Sequence, residues 1–158
     1  AERTFQLMRQ VAGRAGRAET PGTAMLQTFQ PEHAVIMAIL AGDEESFWAA
    51  EAAERKAAGV PPYGRMAGII LSSTNAQEVF DLGADMARRD EPLRRIGAQV
   101  FGPAPAPIAR VRGRHRVRLL VKAEKAAPLQ KALVAWAAQF KLRGELRMAI
   151  DIDPQSFY

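Results

Sequence analysis

The sequence predicts a mixed α+β fold in two pieces, on three observations. From residue 64 onward, apolar patterns of period 2 and period 3.6 succeed one another in the order β-α-β-β-α-β. The residues before 62 carry mainly helical patterns instead. Between the two regimes stands Gly59-Val60-Pro61-Pro62, and tandem proline cannot continue a helix. A boundary near Pro62 is therefore expected, with residues 1–62 and 63–158 as separate domains.

In the first piece, Phe5, Met8 and Ala12 fall at i, i+3 and i+7, which predicts a helix from Glu2 to about Val11. Glycines 13 and 16 weaken it. Thr20-Pro21-Gly22 reads as a turn and Thr23 to Phe29 as a strand. Pro31-Glu32 is expected to open a helix with Val35, Ile36, Ile39 and Leu40 apolar, ended by Gly42. Asp43 then caps a helix from Glu44 to Ala58 that buries Phe47 and Trp48.

In the second piece, Met66 to Leu71 is strand-like, and Thr74 or Asn75 caps a helix to about Arg89. Ala98 to Phe101 is a short strand, followed by a loop stiffened by Pro103, Pro105 and Pro107. His115 to Lys122 alternates cleanly, with Val117, Leu119 and Val121 on one side and Arg116, Arg118 and Lys122 on the other. Leu129, Leu133, Trp136, Ala137 and Phe140 share a helical face, and Leu146, Met148, Ile150 and Ile152 alternate on a last strand. A split βαβ sandwich of the ferredoxin-like type, with both helices on one sheet face, satisfies this order most simply.

Composition narrows the chemistry. With 158 residues, 48% of them hydrophobic, the chain can bury a real core, and 22 basic against 17 acidic residues leave a net charge of +5. Zero cysteine excludes a disulfide scaffold and any thiolate metal site, and two distant histidines offer no spacing for a histidine site, so no metal residue is assigned. No apolar run approaches the roughly 20 residues that cross a bilayer, and AERTFQLM lacks a signal-peptide core. No membrane partner and a cytoplasmic location are the default expectations. Because the first residue is Ala1, inside an amphipathic segment, a piece of a longer protein is expected.

The most informative octet is Gln10-Val11-Ala12-Gly13-Arg14-Ala15-Gly16-Arg17. It sets two arginines three apart, each after a glycine, where guanidinium forks can meet phosphate oxygens and charge developing in phosphoryl transfer. A flexible basic helix end that binds nothing would have the same composition. QVAGRAGR resembles motif VI (Q-x-x-G-R-x-G-R) of superfamily-2 helicases. ERTFQLMRQVAGRAGR, PGTAMLQTFQPEHAVI, GVPPYGR, GPAPAPIARVRGRHRVRLLVK and DIDPQSF, in that order, resemble the C-terminal part of the PriA family of replication-restart helicases (primosomal protein N′).

That resemblance implies the end of a second, RecA-like helicase lobe in residues 1–62 and the family's C-terminal DNA- or partner-binding domain in 63–158. For the full-length protein it implies an ATP-dependent 3′-to-5′ DNA helicase that acts at abandoned forks and helps reload the replicative helicase. Gln10, Arg14 and Arg17 match motif VI and would bind ATP. Arg14 and Arg17 are the arginine-finger candidates, Arg17 the better placed, and they would act only in the full-length protein. ATP, magnesium and zinc are implied for that protein and none for this fragment. The fragment has no G-x-x-x-x-G-K-[ST] phosphate loop, its Asp43-Glu44-Glu45-Ser46 is a helix start and no DEAH box, and the family's zinc-binding cysteines are absent. Implied partners are forked and single-stranded DNA, the acidic tail of single-stranded-DNA-binding protein and other primosome proteins, in the bacterial cytoplasm at the nucleoid.

A second constellation is Arg110, Arg112, Arg114, Arg116 and Arg118. All are at even positions, so an extended stretch presents them on one side, with Gly113 making a turn between two strands. Such an edge can neutralise nucleic-acid phosphates, hold an acidic peptide, or be an ordinary solvated hairpin. No aromatic residue interleaves the arginines for base stacking, and His115 reads as a surface histidine. Lys122, Lys125 and Gln130 lie at the start of the last helix region, where the resemblance suits them to the acidic tail and a solvated helix face stays open. Trp136 and Phe140 read as core and Tyr63 as packing at the boundary, while Asp151 and Asp153 lack a third ligand.

Three function classes compete: part of a helicase, a free-standing nucleic-acid-binding module without enzymatic activity, and an independent small-molecule enzyme. The last is weakest, because no Ser/His/Asp set, carboxylate dyad or metal cluster assembles by spacing.

Overall fold

The apolar spacing at the start of the chain does form a helix. In the computed structural model, which describes residues 2–15 and 22–154, α1 spans Glu2–Ala12, α2 Ala34–Ala41 and α3 Glu44–Ala58. The chain divides into two compact units, Ala1–Ala57 and Ala58–Tyr158.

The first unit has a small aromatic core. Phe5 of α1 stacks on Phe47 of α3 with ring centroids 4.1 Å apart, and Trp48 stands edge-on to both. Such arrangements satisfy the ring quadrupoles as well as burying area. Val35 of α2 closes the cluster. Around its rim, Arg9 pairs with Glu44 at 3.0 Å and Arg55 with Glu2 at 2.6 Å.

Helix ends in this unit follow capping chemistry. Asp43 Oδ1 accepts from the Ser46 amide at 3.0 Å, and the Ser46 hydroxyl and amide together hold the Asp43 carboxyl below its ordinary value. Gly42 ends α2 at φ +67°, its amide donating to the Ile39 carbonyl. The start of α2 differs from expectation. His33, whose Nδ1 accepts from the Val35 amide at 3.2 Å, caps the helix, and Pro31-Glu32 precede it. Leu40, expected on the apolar face, is exposed.

Thr23 to Phe29 is not a strand. Its Met25 and Phe29 are fully exposed, and among the described residues no neighbouring strand supplies the ladder that its backbone would need. The turn expected at Thr20-Pro21-Gly22 falls, apart from Gly22, outside the described residues.

The second unit contains β1 (Gly64–Ser73), α4 (Ala76–Arg88), α5 (Glu91–Arg94), β2 (Gln99–Val111), β3 (Arg114–Glu124), α6 (Leu129–Ala137) and β4 (Arg147–Ile152). It is a mixed α+β unit around a four-stranded sheet of order β2-β3-β1-β4, with every neighbouring pair antiparallel. Asn75 is the cap of α4, its Oδ1 accepting from the Gln77 and Glu78 amides. The one-turn α5 had no sequence signal beyond Pro92 at its start.

One core serves the whole unit. Ile69 and Leu71 of β1, Val117, Leu119 and Val121 of β3, Val79 and Met86 of α4, Leu93 of α5 and Leu129, Leu133 and Trp136 of α6 form a single buried cluster. The helices therefore share one face of the sheet, and among the described residues of this unit no helix covers the other. Gly83 sets how closely α4 approaches, since a Cβ there would meet the Pro103 Cβ at 2.9 Å and Val117 Cγ1 at 3.3 Å.

The expected proline loop is a strand. β2 continues through Pro103, Pro105 and Pro107 to Val111, with register shifts between Phe101 and Ala104 and between Pro105 and Arg110. An edge strand tolerates proline because only one of its sides must complete a ladder. β2 is such an edge.

Candidate functional site

The helix-free face of the sheet is laid out by its register. Arg116 of β3, Ser72 of β1 and Arg147 of β4 form one row, and Ala104, Arg118, Ile70 and Ala149 the next. The third row is Phe101, Leu120, Gly68 and Asp151, and the fourth Gln99, Lys122 and Met66. Cross-strand partners share a face, so three cations of β3 and one of β4 surround an apolar middle.

The five arginines do not share one side. Arg112 at φ +49° and Gly113 at φ +78° form a two-residue hairpin turn, a conformation that glycine supplies without strain. It pairs Val111 with Arg114 and Arg110 with His115. Arg110 thereby lies with His115 on the Val117 side, Arg112 stands at the tip, and Arg114, Arg116 and Arg118 point to the helix-free side. Even spacing misled here, because a two-residue turn reverses the parity of one strand relative to the other.

Arg114 has a structural post. Its guanidinium donates to the Ser72 carbonyl at 3.0 Å, to the Glu145 carbonyl and to Glu145 Oε2 at 2.9 Å, and its side chain is 17% exposed. It joins the start of β3 to the end of β1 and the segment leading into β4. Arg116 Nη1 donates to the Ile108 carbonyl at 3.3 Å, where four residues of the β2 bulge oppose it. Arg110 and Arg112 are exposed.

Lys122, Lys125 and Gln130 fall on three different elements. Lys122 is in β3, Lys125 in the following turn and Gln130 in the first turn of α6. Lys122 and Lys125 line a shallow cleft of about 500 Å³ with Tyr63, Gln99 and Glu124, and Gln130 is not among its walls. Asp153 is engaged internally, pairing with Arg65 Nε at 2.7 Å and accepting from the Met66 amide, while Asp151 lies on the helix-free face. Among the described residues no group of three or more His, Asp or Glu could hold a metal ion, and no helix is long and apolar enough to cross a membrane.

In the first unit, Gln10 occupies the exposed last turn of α1 and Arg14 the turn after it, where its amide donates to the Val11 carbonyl at 3.0 Å. A cleft of about 630 Å³ nearby is lined by Phe5, Arg9, Gly13, Glu44 and Trp48, without Gln10 or Arg14. Arg17 lies outside the described residues.

Phe101 was missed from sequence. It is 49% exposed and stands opposite Leu120, so the helix-free face carries an aromatic ring among its cations after all. The available signal was parity. Val100 pairs with Val121 on the core side, which puts Phe101 on the other.

The family described as primosomal protein N C-terminal domain matches residues 56–155. The replication restart protein PriA of Rickettsia conorii is 38% identical over 158 residues, all of this chain and 24% of that protein. The same protein of Treponema pallidum is 33% identical over 154 residues, and that of Bacillus subtilis 31% over 157, covering 98% of this chain in each case and 23% and 20% of those proteins. The chain thus spans about a quarter or less of the length of these curated relatives. With the domain match extending across the whole four-stranded unit, the chain belongs to the PriA family and carries its primosomal protein N C-terminal domain.

Proposed function

We propose that the second unit is the nucleic-acid-binding domain of a PriA-type ATP-dependent 3′-to-5′ DNA helicase of replication restart, and that it engages forked and single-stranded DNA. The observation that carries this reading is the helix-free sheet face, where Arg116, Arg118, Lys122 and Arg147 share one surface. These four cations outnumber the Asp151 carboxylate on the same face, and such an excess of positive charge neutralises phosphates without reading bases. We read the unit as a split βαβ sandwich of the ferredoxin-like type, a reading supported by the strand order and the common core of its helices. A bacterial cytoplasmic setting at the nucleoid follows from replication restart as the relatives' named role.

The residues before it are read as the end of the second helicase lobe. Gln10 and Arg14, exposed at the end of α1, suit contact with the phosphates of ATP held elsewhere in the full-length protein. Arg17 is proposed as the finger that meets charge formed in the transition state. Magnesium and zinc would be held outside this chain, which has no cysteine and gathers no such ligand set among its described residues.

Anisotropy titrations with forked DNA test the binding role. Substituting Arg112, Arg116 and Lys122 together by Ala should weaken binding equally for unrelated sequences and reduce the salt slope by about one per lost phosphate contact. Unchanged binding and slope would refute it. For the lobe, Arg17→Ala in the complete helicase should cripple hydrolysis while sparing nucleotide binding. The present chain alone should show no ATPase above a protein-free control, and measurable turnover would contradict the assignment.

A second reading rests on the Lys122–Lys125 cleft, whose paired ammonium groups suit the acidic tail of single-stranded-DNA-binding protein. Lys125→Ala should then lower affinity for an acidic peptide and leave DNA affinity unchanged. A module of the same binding chemistry that works without a motor is the alternative, and the reading frame upstream of Ala1 decides it by the presence or absence of a phosphate loop.

A further inference from the structure

The nucleic-acid reading of the sheet face treats it as charge alone, yet its centre is apolar and its β2 edge carries an aromatic ring. Phe101 stands opposite Leu120, which in turn pairs with Gly68, and the ring is half exposed. In the adjacent row Ala104 and Ile70 flank Arg118. An aromatic ring left half exposed on the edge strand β2, when the sheet's other face has a full core for such residues, calls for an occupant with a flat apolar surface of its own.

The surrounding charge says what else the occupant carries. Arg118 and Lys122 are two residues either side of Leu120 on β3, in the rows flanking that of Phe101. Arg116 lies one step further along the same strand. A nucleotide combines the two requirements, a flat base and an attached phosphate. Asp151 ends the Phe101 row on β4 and repels phosphate there, which keeps the backbone over β3 and β2.

We infer that the ring of Phe101 is a stacking platform for an unpaired base, so that this face selects single-stranded DNA over duplex. The inference rests on the nucleic-acid reading above. In a duplex, base faces are already stacked inside the helix and cannot meet the ring, whereas a single strand offers every base's π-face. Phosphate contacts from Arg116 and Lys122 are available to both forms, so the aromatic residue is the part of the face that discriminates between them. An acidic peptide would meet the same cations and would gain nothing from the ring.

The test uses residues 1–158 and fluorescence anisotropy with a labelled oligothymidylate, an abasic oligomer of the same length and a duplex. Phe101→Ala should weaken oligothymidylate binding by about 5- to 150-fold, the range of one lost base stack. Duplex affinity should change less than about 2-fold, and Phe101→Tyr should retain the native preference. The native protein should bind the abasic oligomer as weakly as Phe101→Ala binds the normal one, a comparison that needs no variant to fold. Equal binding of abasic and normal oligomers overturns the platform, as does an unchanged Phe101→Ala. If the platform fails while Arg116→Ala with Lys122→Ala still weakens both DNA forms, the charge reading stands alone. If that double variant also changes nothing, or if an acidic peptide binds and no DNA does, both readings fall.

Discussion

The indole Nε1 of Trp136 donates to the Met86 carbonyl oxygen at 3.2 Å, with Trp136 fully buried. Met86 lies in the last turn of α4, where carbonyls have no partner within their own helix. One side chain thus fills the core between α4 and α6 and satisfies a helix end. Trp136→Ala should destabilise the unit by about 3–5 kcal/mol through the cavity. Trp136→Phe should lose about 1–3 kcal/mol by leaving the carbonyl unpaired. Denaturant titration of both variants separates the two contributions.

Arg114 should behave as a structural arginine. Its exposed partner Glu145 adds little by charge, because solvent screens the pair, but two backbone carbonyls depend on its fork. Arg114→Ala should cost about 2 kcal/mol and Arg114→Lys should not restore it, since an ammonium cannot reproduce the fork. An Arg114→Ala protein as stable as wild type in urea would remove it from this post.

Gly83→Ala tests which of two opposed effects wins. In an open helix the change would gain about 1 kcal/mol of propensity. Here the added methyl would sit 2.9 Å from a proline ring that cannot rotate away. We expect a net loss of about 1–3 kcal/mol, read as a lowered Tm.

The second unit should fold without the first. Its buried cluster draws on the two central strands and all three helices, with β2 and β4 packing partly buried residues against it, whereas the first unit's comprises Phe5, Val35 and Phe47. Residues 58–158 should unfold in one cooperative transition, and residues 1–57 should show none. A sharp calorimetric peak from the shorter piece would count against this.

Acid should loosen α3 through its cap. The Asp43 carboxyl is held below its ordinary value of 3.8 by the Ser46 hydroxyl and amide. Its contribution is therefore present above that value and lost as pH falls through the lower folded one. Helical circular dichroism of the chain should fall over that window, and Asp43→Asn, which still accepts the amide hydrogen bond, should remove this part of the pH dependence.

The sequence was most legible where one face of an element is wet and the other dry. Val117, Leu119 and Val121 against Arg116, Arg118 and Lys122 fixed both the strand and its orientation, and Asn75 and Gly42 marked helix ends by local chemistry. What long-range pairing decides stayed hidden. Phe101 joins the arginines only because β2 lies beside β3, and the arginines divide only because the turn holds two residues. Thr23 to Phe29 has strand-like residues without a neighbour, and Pro103 to Pro107 has loop-like residues with one.

Three prolines on β2 have a consequence for how this sheet meets other chains. Both outer strands of a sheet are templates for the strand of another molecule, and each donor missing from such a rim interrupts the ladder a newcomer would build. Pro103, Pro105 and Pro107 remove three donors within five residues of one rim, and β4 at the opposite rim is only six residues long. Edge-on self-association and strand capture are discouraged along β2, which leaves the helix-free face as the way this sheet meets another molecule.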